Sequence, residues 1–407
     1  MLVSAVLLFG IGLAGADDNF VRSTQDPQIL PVYAIGASNG SFAKVNGRLF
    51  EIDGRTGYFA GTNAWWLGHL TRNEDVDVAM QQIADASVAR TKTKYKIVRV
   101  WGFGDVNKPT NPDAADPYRV WYQLINGTGA AFINYGSDGL QRLDYVVHRA
   151  EQLGLKLVLP FVNEWPDWGG REVAYAPACS FEPTWYEDAG CQAVYRAYVR
   201  VLVTRYRASP AVFSWQLCNE PRCSQCDVSV IAAWAAGVSA YIKSLDPLHM
   251  VSLGDEGWFG PSSGFSNPNG SNYAYEANDG VDFVTNLKIP TLDYGVFHLY
   301  PSWWSYPYEW GNLWIQQHDD AGAKANKPVI LEEYGSPERG NHTRVLAPWL
   351  DTIVKSGLAA DQVWQFGPAN LSANSADFGD EFTVCYNSSE FALLGTKHAQ
   401  DMLDKGV

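Results

Sequence analysis

Positive charge is scarce in this chain. Its 407 residues include 30 Lys and Arg against 44 Asp and Glu, a formal net charge of −14, so nucleic acids and anionic membrane surfaces, which need clustered cations, are not expected partners. Charge of either sign is sparse: 18% of residues are charged and 46% hydrophobic, which argues against disorder and for a large buried core. The N-terminal apolar stretch in MLVSAVLLFGIGLAGADD is too short to cross a bilayer. No Gly-x-Gly-x-x-Gly follows the first strand-like run and no Walker pattern appears, which removes the common nucleotide-binding signatures. There is no internal repeat and no low-complexity linker that would mark a separate binding module. Cys223-x-x-Cys226 has no second ligand pair near it, so a zinc site is not expected. Neither a metal nor a cofactor is expected.

What is abundant is aromatic surface. Aromatics reach 14%, with 16 Trp and 21 Tyr; most should pack in the core, and the rest should line a face where flat, half-polar ligands such as sugars stack. The N-terminal stretch ends in Ala14-Gly15-Ala16, a small-residue cleavage pattern, although it lacks a Lys or Arg before the apolar run. Residues 1–16 therefore read as a signal peptide, 17–40 as a lead-in and 41–407 as one domain, in a secreted and monomeric protein. Six Asn-x-Ser/Thr sequons, at Asn39, Asn126, Asn269, Asn341, Asn370 and Asn387, fit that route. In an oxidising compartment Cys223 and Cys226 are expected to form a tight disulfide and Cys179 with Cys191 a second, with Cys218 a buried thiol. Cys385 has no assigned partner.

From about residue 41, apolar strand-like runs alternate with helix-like segments. The runs cover 58–66, 95–103, 155–163, 212–220, 249–255, 294–300, 328–335 and 361–367. Between them lie segments with helical spacing, such as VDVAMQQIADA after an apparent capping box Thr71-Arg72-Asn73-Glu74, and YRAYVRVLVTRY before Ser209-Pro210. Eight nearly continuous apolar strands, each followed by a helix, point to an α/β fold, a (β/α)8 TIM barrel, with an open doubly wound sheet as the alternative.

In such a barrel the reactive residues sit at the C-terminal ends of the strands. Those ends carry Arg99 and Trp101, Asn163 to Trp165, Asn219 and Glu220, Glu256 and Trp258, His298 and Tyr300, Glu332 and Glu333, and Trp364. Carboxylates, amides and aromatics recur there; Ser/His/Asp and metal-ligand spacings do not. The run VFSWQL ends abruptly in Asn219-Glu220-Pro221, because proline cannot donate to a sheet ladder. Glu220 and Glu333 come from the fourth and seventh strands, on opposing sides of the ring. Two carboxylates so placed can split a glycosidic bond, one as acid and the other as nucleophile or base.

Asn219-Glu220-Pro221-Arg222-Cys223 and Glu332-Glu333-Tyr334-Gly335 resemble the two signature strand ends of glycoside hydrolase family five. VRVWGF (98–103), Val162-Asn163-Glu164-Trp165 followed by Gly169-Gly170, CSQC (223–226) and FHLYP (297–301) extend the resemblance to the fungal secreted endo-β-1,4-mannanases of that family, over residues 41 to 400. The resemblance implies Glu220 as acid/base, Glu333 as nucleophile, Asn219 on the sugar's 2-hydroxyl and Arg99 holding the nucleophile ionised. It further implies His298 and Tyr300 orienting the pair and Trp364 forming the platform under the attacked sugar. Trp101, Asn163, Trp165, Glu256 and Trp258 complete the expected substrate cleft for a β-mannan. On this reading Arg99 lowers the pKa of Glu333, while an enclosed Glu220 beside a second negative charge keeps its proton. Glu164 departs from the family pattern, which has Asn there, so a third acidic group is expected near the cleft. The competing activities are a β-1,4-glucanase of the same family, which handles an equatorial 2-hydroxyl, and a non-catalytic carbohydrate-binding protein.

Overall fold

A computed structural model describes residues 31–36, 40–85, 95–108, 119–268, 270–373, 375 and 377–406. The signal-peptide reading and the sequons at Asn39 and Asn269 lie outside the described residues. Eight parallel strands form one sheet: β1 (Phe59–Asn63), β2 (Ile97–Arg99), β3 (Lys156–Pro160), β4 (Val212–Gln216), β5 (Met250–Ser252), β6 (Gly295–Leu299), β7 (Val329–Tyr334) and β8 (Ala360–Val363). They pair in the order β5-β4-β3-β2-β1-β8-β7-β6. Between β5 and β6 the ladder is replaced by single bonds, Asp293 N to Val251 O at 2.8 Å and His298 N to Glu256 O at 3.2 Å. The result is a nearly closed (β/α)8 barrel, as the strand count predicts.

A helix follows every strand: α1 (Asn73–Ala84), α2 (Leu140–Leu153), α3 (Ala189–Tyr206), α4 (Val228–Leu245), α5 (Phe283–Leu287), α6 (Trp310–Ala325), α7 (His342–Lys355) and α8 (His398–Asp404). The 18-residue apolar α4 turns Ile231, Trp234, Ala235, Val238 and Ile242 inward, so its apolar length serves packing against the barrel. The expected capping box before α1 does not form. Arg72 takes the N-cap position without a side-chain cap bond, and Asn73 is drawn instead to Arg142, which donates to its side-chain oxygen at 2.7 Å.

The observed strands are shorter than the apolar runs, because the runs continue into the loops that build the cleft. The first run, for instance, leaves β1 for a short 3-10 turn, Trp65–His69. At the opposite end an antiparallel hairpin, Leu49–Ile52 against Arg55–Gly57, closes the barrel floor. Its Phe50 ring meets Phe213 at 5.0 Å and Tyr294 at 5.3 Å, so the floor is packed with aromatic side chains. Twelve of the 16 tryptophans are buried, so the aromatic excess is mainly core, and only a few rings are left to meet a ligand.

Both expected disulfides are present, Cys179–Cys191 and Cys223–Cys226. Cys218 is a buried free thiol and Cys385 an exposed one.

Candidate active site

Glu220 sits four residues beyond β4, where the chain leaves the extended conformation. Its φ is 50°, a left-handed value that non-glycine residues seldom adopt. The Glu220 N–H donates to the Gly254 carbonyl at 2.8 Å. Gly254 makes that approach possible: a Cβ there would lie 1.9 Å from the Cys218 oxygen. The strand run expected to 220 thus ends early because the backbone must turn to present Glu220.

Glu333 reaches the same space from β7. The register between β6 and β7 shifts between Phe297 and His298, so that His298 pairs with Glu333. A bulge of this kind re-aims neighbouring side chains. Here it accompanies two consecutive glutamates with different surroundings, Glu332 fully buried in the barrel and Glu333 4% exposed at its mouth.

The two mouth carboxylates are held by different partners. Glu220 receives His298 Nδ1 on Oε1 at 2.6 Å and Trp165 Nε1 on Oε2 at 2.5 Å. Glu333 receives Arg99 Nη1 on Oε1 and the Tyr300 hydroxyl on Oε2, the latter at 2.9 Å. One oxygen of each carboxylate and a His298 nitrogen lie within 4.8 Å of one another. Arg99 also donates from Nη2 to Asn219 at 2.7 Å and from Nε to Gln216 at 2.8 Å. Asn219 passes one N–H to Asn163 at 2.8 Å, which fixes its amide orientation and leaves a second N–H.

The electrostatics of the cleft run opposite to the sequence expectation. Burial would depress the His298 pKa, but the Glu333 charge, the bond to Glu220 and the Glu332 carboxylate 3.6 Å from Nε2 push it up to about 10. Burial would raise Glu220, yet the bond and charge of the His298 imidazolium and the Trp165 N–H lower it. Glu333 is raised, by burial first and by the Glu220 charge, against the pull of His298 and Arg99. The reason is positional: the imidazolium sits on Glu220, and Arg99 is shared with Glu332, whose Oε2 lies 3.3 Å from its Nε.

Several expected cleft residues are placed otherwise. Glu256 is buried in a two-pronged pair with Arg222, at 2.6 and 2.7 Å; burial and the Glu220 charge raise its pKa to about 8 against that pairing. Glu164 is likewise held by Arg171 at 2.6 and 2.8 Å. The third acidic group is there, but paired. Trp258 is 2% exposed, packed on Trp304, and lines no open surface. Trp101 is buried beneath the mouth, tilted against Trp364 with 6.5 Å between ring centroids. Trp364 is half-buried, its Nε1 bound to Asp380 at 2.9 Å, and Trp165 is the exposed ring among the expected aromatics.

Sequence reasoning missed Arg222, whose guanidinium stacks on the Trp165 ring at 5.0 Å and so steadies the tryptophan that touches Glu220. It missed Gln216, which donates to both Glu332 oxygens at 2.8 Å; a glutamine inside an apolar strand was the available signal. It also missed Trp303, which is 63% exposed and stacks on Tyr300 at 5.1 Å.

The arrangement can protonate a leaving oxygen on one side and attack with a carboxylate from the other. A family model described as GH family 5 beta-mannosidase-like matches residues 170–351. Among similar proteins, mannan endo-1,4-beta-mannosidase A of Aspergillus aculeatus is 44% identical over 366 residues, 89% of this chain and 91% of that protein. The protein of the same name from Hypocrea jecorina is 45% identical over 90% of this chain and 79% of its own length. Of solved structures, the endo-1,4-beta-mannanase of Rhizomucor miehei superposes with a TM-score of 0.76 at 30% identity, covering 90% of this chain and all of that one. An endo-beta-1,4-mannanase from Thermotoga petrophila gives 0.75 at 29% identity, covering 87% of this chain and 79% of that one.

Proposed function

The chain belongs to the mannanases of glycoside hydrolase family five, and from that premise we propose that it is a secreted, retaining endo-β-1,4-mannanase in which Glu333 attacks and Glu220 transfers the proton. The observation that carries the mechanism is the approach of the Glu220 and Glu333 oxygens within 4.8 Å. Carboxyl groups about 5–5.5 Å apart leave no room for a water between them, as inversion would need.

In the first half-reaction a lone pair of the Glu333 carboxylate forms a bond to the anomeric carbon. The bond from that carbon to the leaving oxygen breaks, and the oxygen takes the proton from Glu220. In the second, Glu220 as carboxylate takes a proton from water, whose oxygen displaces Glu333 from the sugar. The reacting state has the proton on Glu220 and the charge on Glu333, and positive charge developing at the sugar stabilises that anion. Asn219 offers its remaining N–H to the 2-hydroxyl beside the reacting carbon. We place secretion on the two disulfides and on the exposed sequons at Asn370 and Asn387. We further propose that it acts as a monomer, with 41–407 as the single catalytic unit.

The test compares galactomannan with carboxymethylcellulose. Rapid loss of galactomannan viscosity with slow release of reducing ends, and no action on carboxymethylcellulose, is the expected result. Comparable rates on both would favour a glucanase, and activity on neither a binding protein.

Trp364 supplies a further prediction. As the floor under the reacting sugar, its ring face would interact most strongly as the pyranose distorts toward the transition state. Trp364→Ala should lower kcat/KM at least about tenfold, with kcat falling as well as affinity, while Trp364→Phe keeps most of it. Turnover per inactivator-titrated site on mannohexaose measures this, and unchanged turnover would remove the platform role.

A further inference from the structure

Three carboxylates surround the His298 imidazole. Glu220 faces Nδ1 at 2.6 Å, Glu333 Oε2 lies 3.7 Å from the same nitrogen, and Glu332 Oε2 lies 3.6 Å from Nε2. The same Glu332 oxygen is 3.3 Å from Arg99 Nε. Glu332 is fully buried, whereas Glu220 and Glu333 keep 8% and 4% exposure at the mouth. Gln216, donating to both of its oxygens, orients it.

The retaining reading above makes this arrangement meaningful, and the inference rests on it. Glu220 and Glu333 both change charge during the cycle. Before attack Glu220 is neutral and Glu333 negative; after attack Glu333 is a neutral ester and Glu220 negative. Glu332, fully buried beneath the mouth, keeps its charge. With Arg99 and His298 both cationic, Glu332 brings the buried cluster to zero net charge in both states. Without it the cluster would carry one uncompensated positive charge throughout, which a buried site sheds by losing a proton. Of the two cations only the imidazole can lose one at ordinary pH.

We propose that Glu332 is a positioning residue that keeps His298 an imidazolium through both half-reactions, so that an N–H of fixed charge always faces Glu220. That N–H stabilises the Glu220 carboxylate left by proton donation and retains it as the base for water. The other groups facing this centre do not replace Glu332: Glu256 is tied to Arg222, Asp255 is bonded to Asn286, and the Tyr300 and Tyr294 phenols are neutral, burial first among the causes that raise them. The raised His298 pKa agrees with the geometry.

The test is nitrogen-15 NMR of the full chain with labelled histidine, before and after trapping with 2-deoxy-2-fluoromannobiosyl fluoride, which removes the Glu333 charge. In the natural enzyme His298 should stay doubly protonated through pH 8 in both states. In trapped Glu332→Gln its proton should be lost roughly 1–3 pH units lower, and the kcat profile should gain an inflection at that pH. Glu332→Asp, which returns a carboxylate, should move the titration back. A neutral His298 at pH 7 in the trapped natural enzyme, or a Glu332→Gln titration that matches it, would overturn the proposal. If Glu332→Gln does not fold, the titration of the natural enzyme decides alone. Failure of the inactivator to attach would count against the retaining reading, and the titration of the free enzyme would still read the effect of Glu332.

Discussion

Glu333→Ala should lower kcat on mannan by at least about 10^5-fold, because a positioned nucleophile is worth an effective concentration of roughly 10^5–10^8 M over one supplied from solution. The size of the loss follows from how the carboxylate is held. Arg99 and Tyr300 grip one oxygen each, so Glu333 pays little reorganisation to attack, and no other carboxylate can take its place: Glu332 lies beneath it on Gln216 and Arg99. Removing Glu333 leaves the buried Arg99 with Glu332, Asn219 and Gln216 still around it, so the protein should fold, with reduced stability. Glu333→Gln, which keeps the shape, controls for that. The measurement pairs single-turnover kinetics with peptide mapping of the fluorosugar-labelled natural enzyme. A label on any residue other than Glu333, or activity within a hundredfold of normal in either variant, would sink the assignment.

Glu220→Ala should have a different signature. Loss of a general acid costs about 10²–10⁴-fold where the leaving group needs a proton, so turnover of mannan should fall by that amount. A dinitrophenyl mannobioside departs without protonation, so its glycosylation step should be nearly normal and the intermediate should accumulate, giving a burst and a lowered KM. Azide, small enough to enter the space vacated by the carboxylate, should restore turnover and yield a β-configured mannosyl azide. That anomer would report retention directly. Equal losses on both substrates with no azide rescue would point to a structural role for Glu220, through His298 and Trp165, and an α-configured product would point to inversion.

Much of this molecule is legible in the order of its residues. Seven of the eight apolar runs contain a whole barrel strand and the eighth, 361–367, contains all of β8 but Ala360, since a strand buried on both faces must be apolar along its length and the period does not depend on what lies across the sheet. Strand ends are legible for the same reason, and with them Arg99, Asn219, Glu220, His298, Tyr300 and Glu333, because a barrel exposes chemistry at one end of its strands. What the chain order could not decide is which charges meet. Glu256 reads as a free carboxylate until Arg222, 34 residues away, is seen to hold both of its oxygens, and Glu164 reads the same way until Arg171 closes on it. Trp258 reads as a cleft ring and is buried among tryptophans. The placement of protons is the clearest case: Arg99 beside Glu333 suggests a low pKa for that carboxylate, and the tertiary arrangement reverses the direction by setting His298 on Glu220 and dividing Arg99 with Glu332. Burial and backbone period are properties a residue carries with its neighbours in sequence. Charge pairing falls off over a few ångströms between side chains brought from different strands, so only the closed barrel determines it.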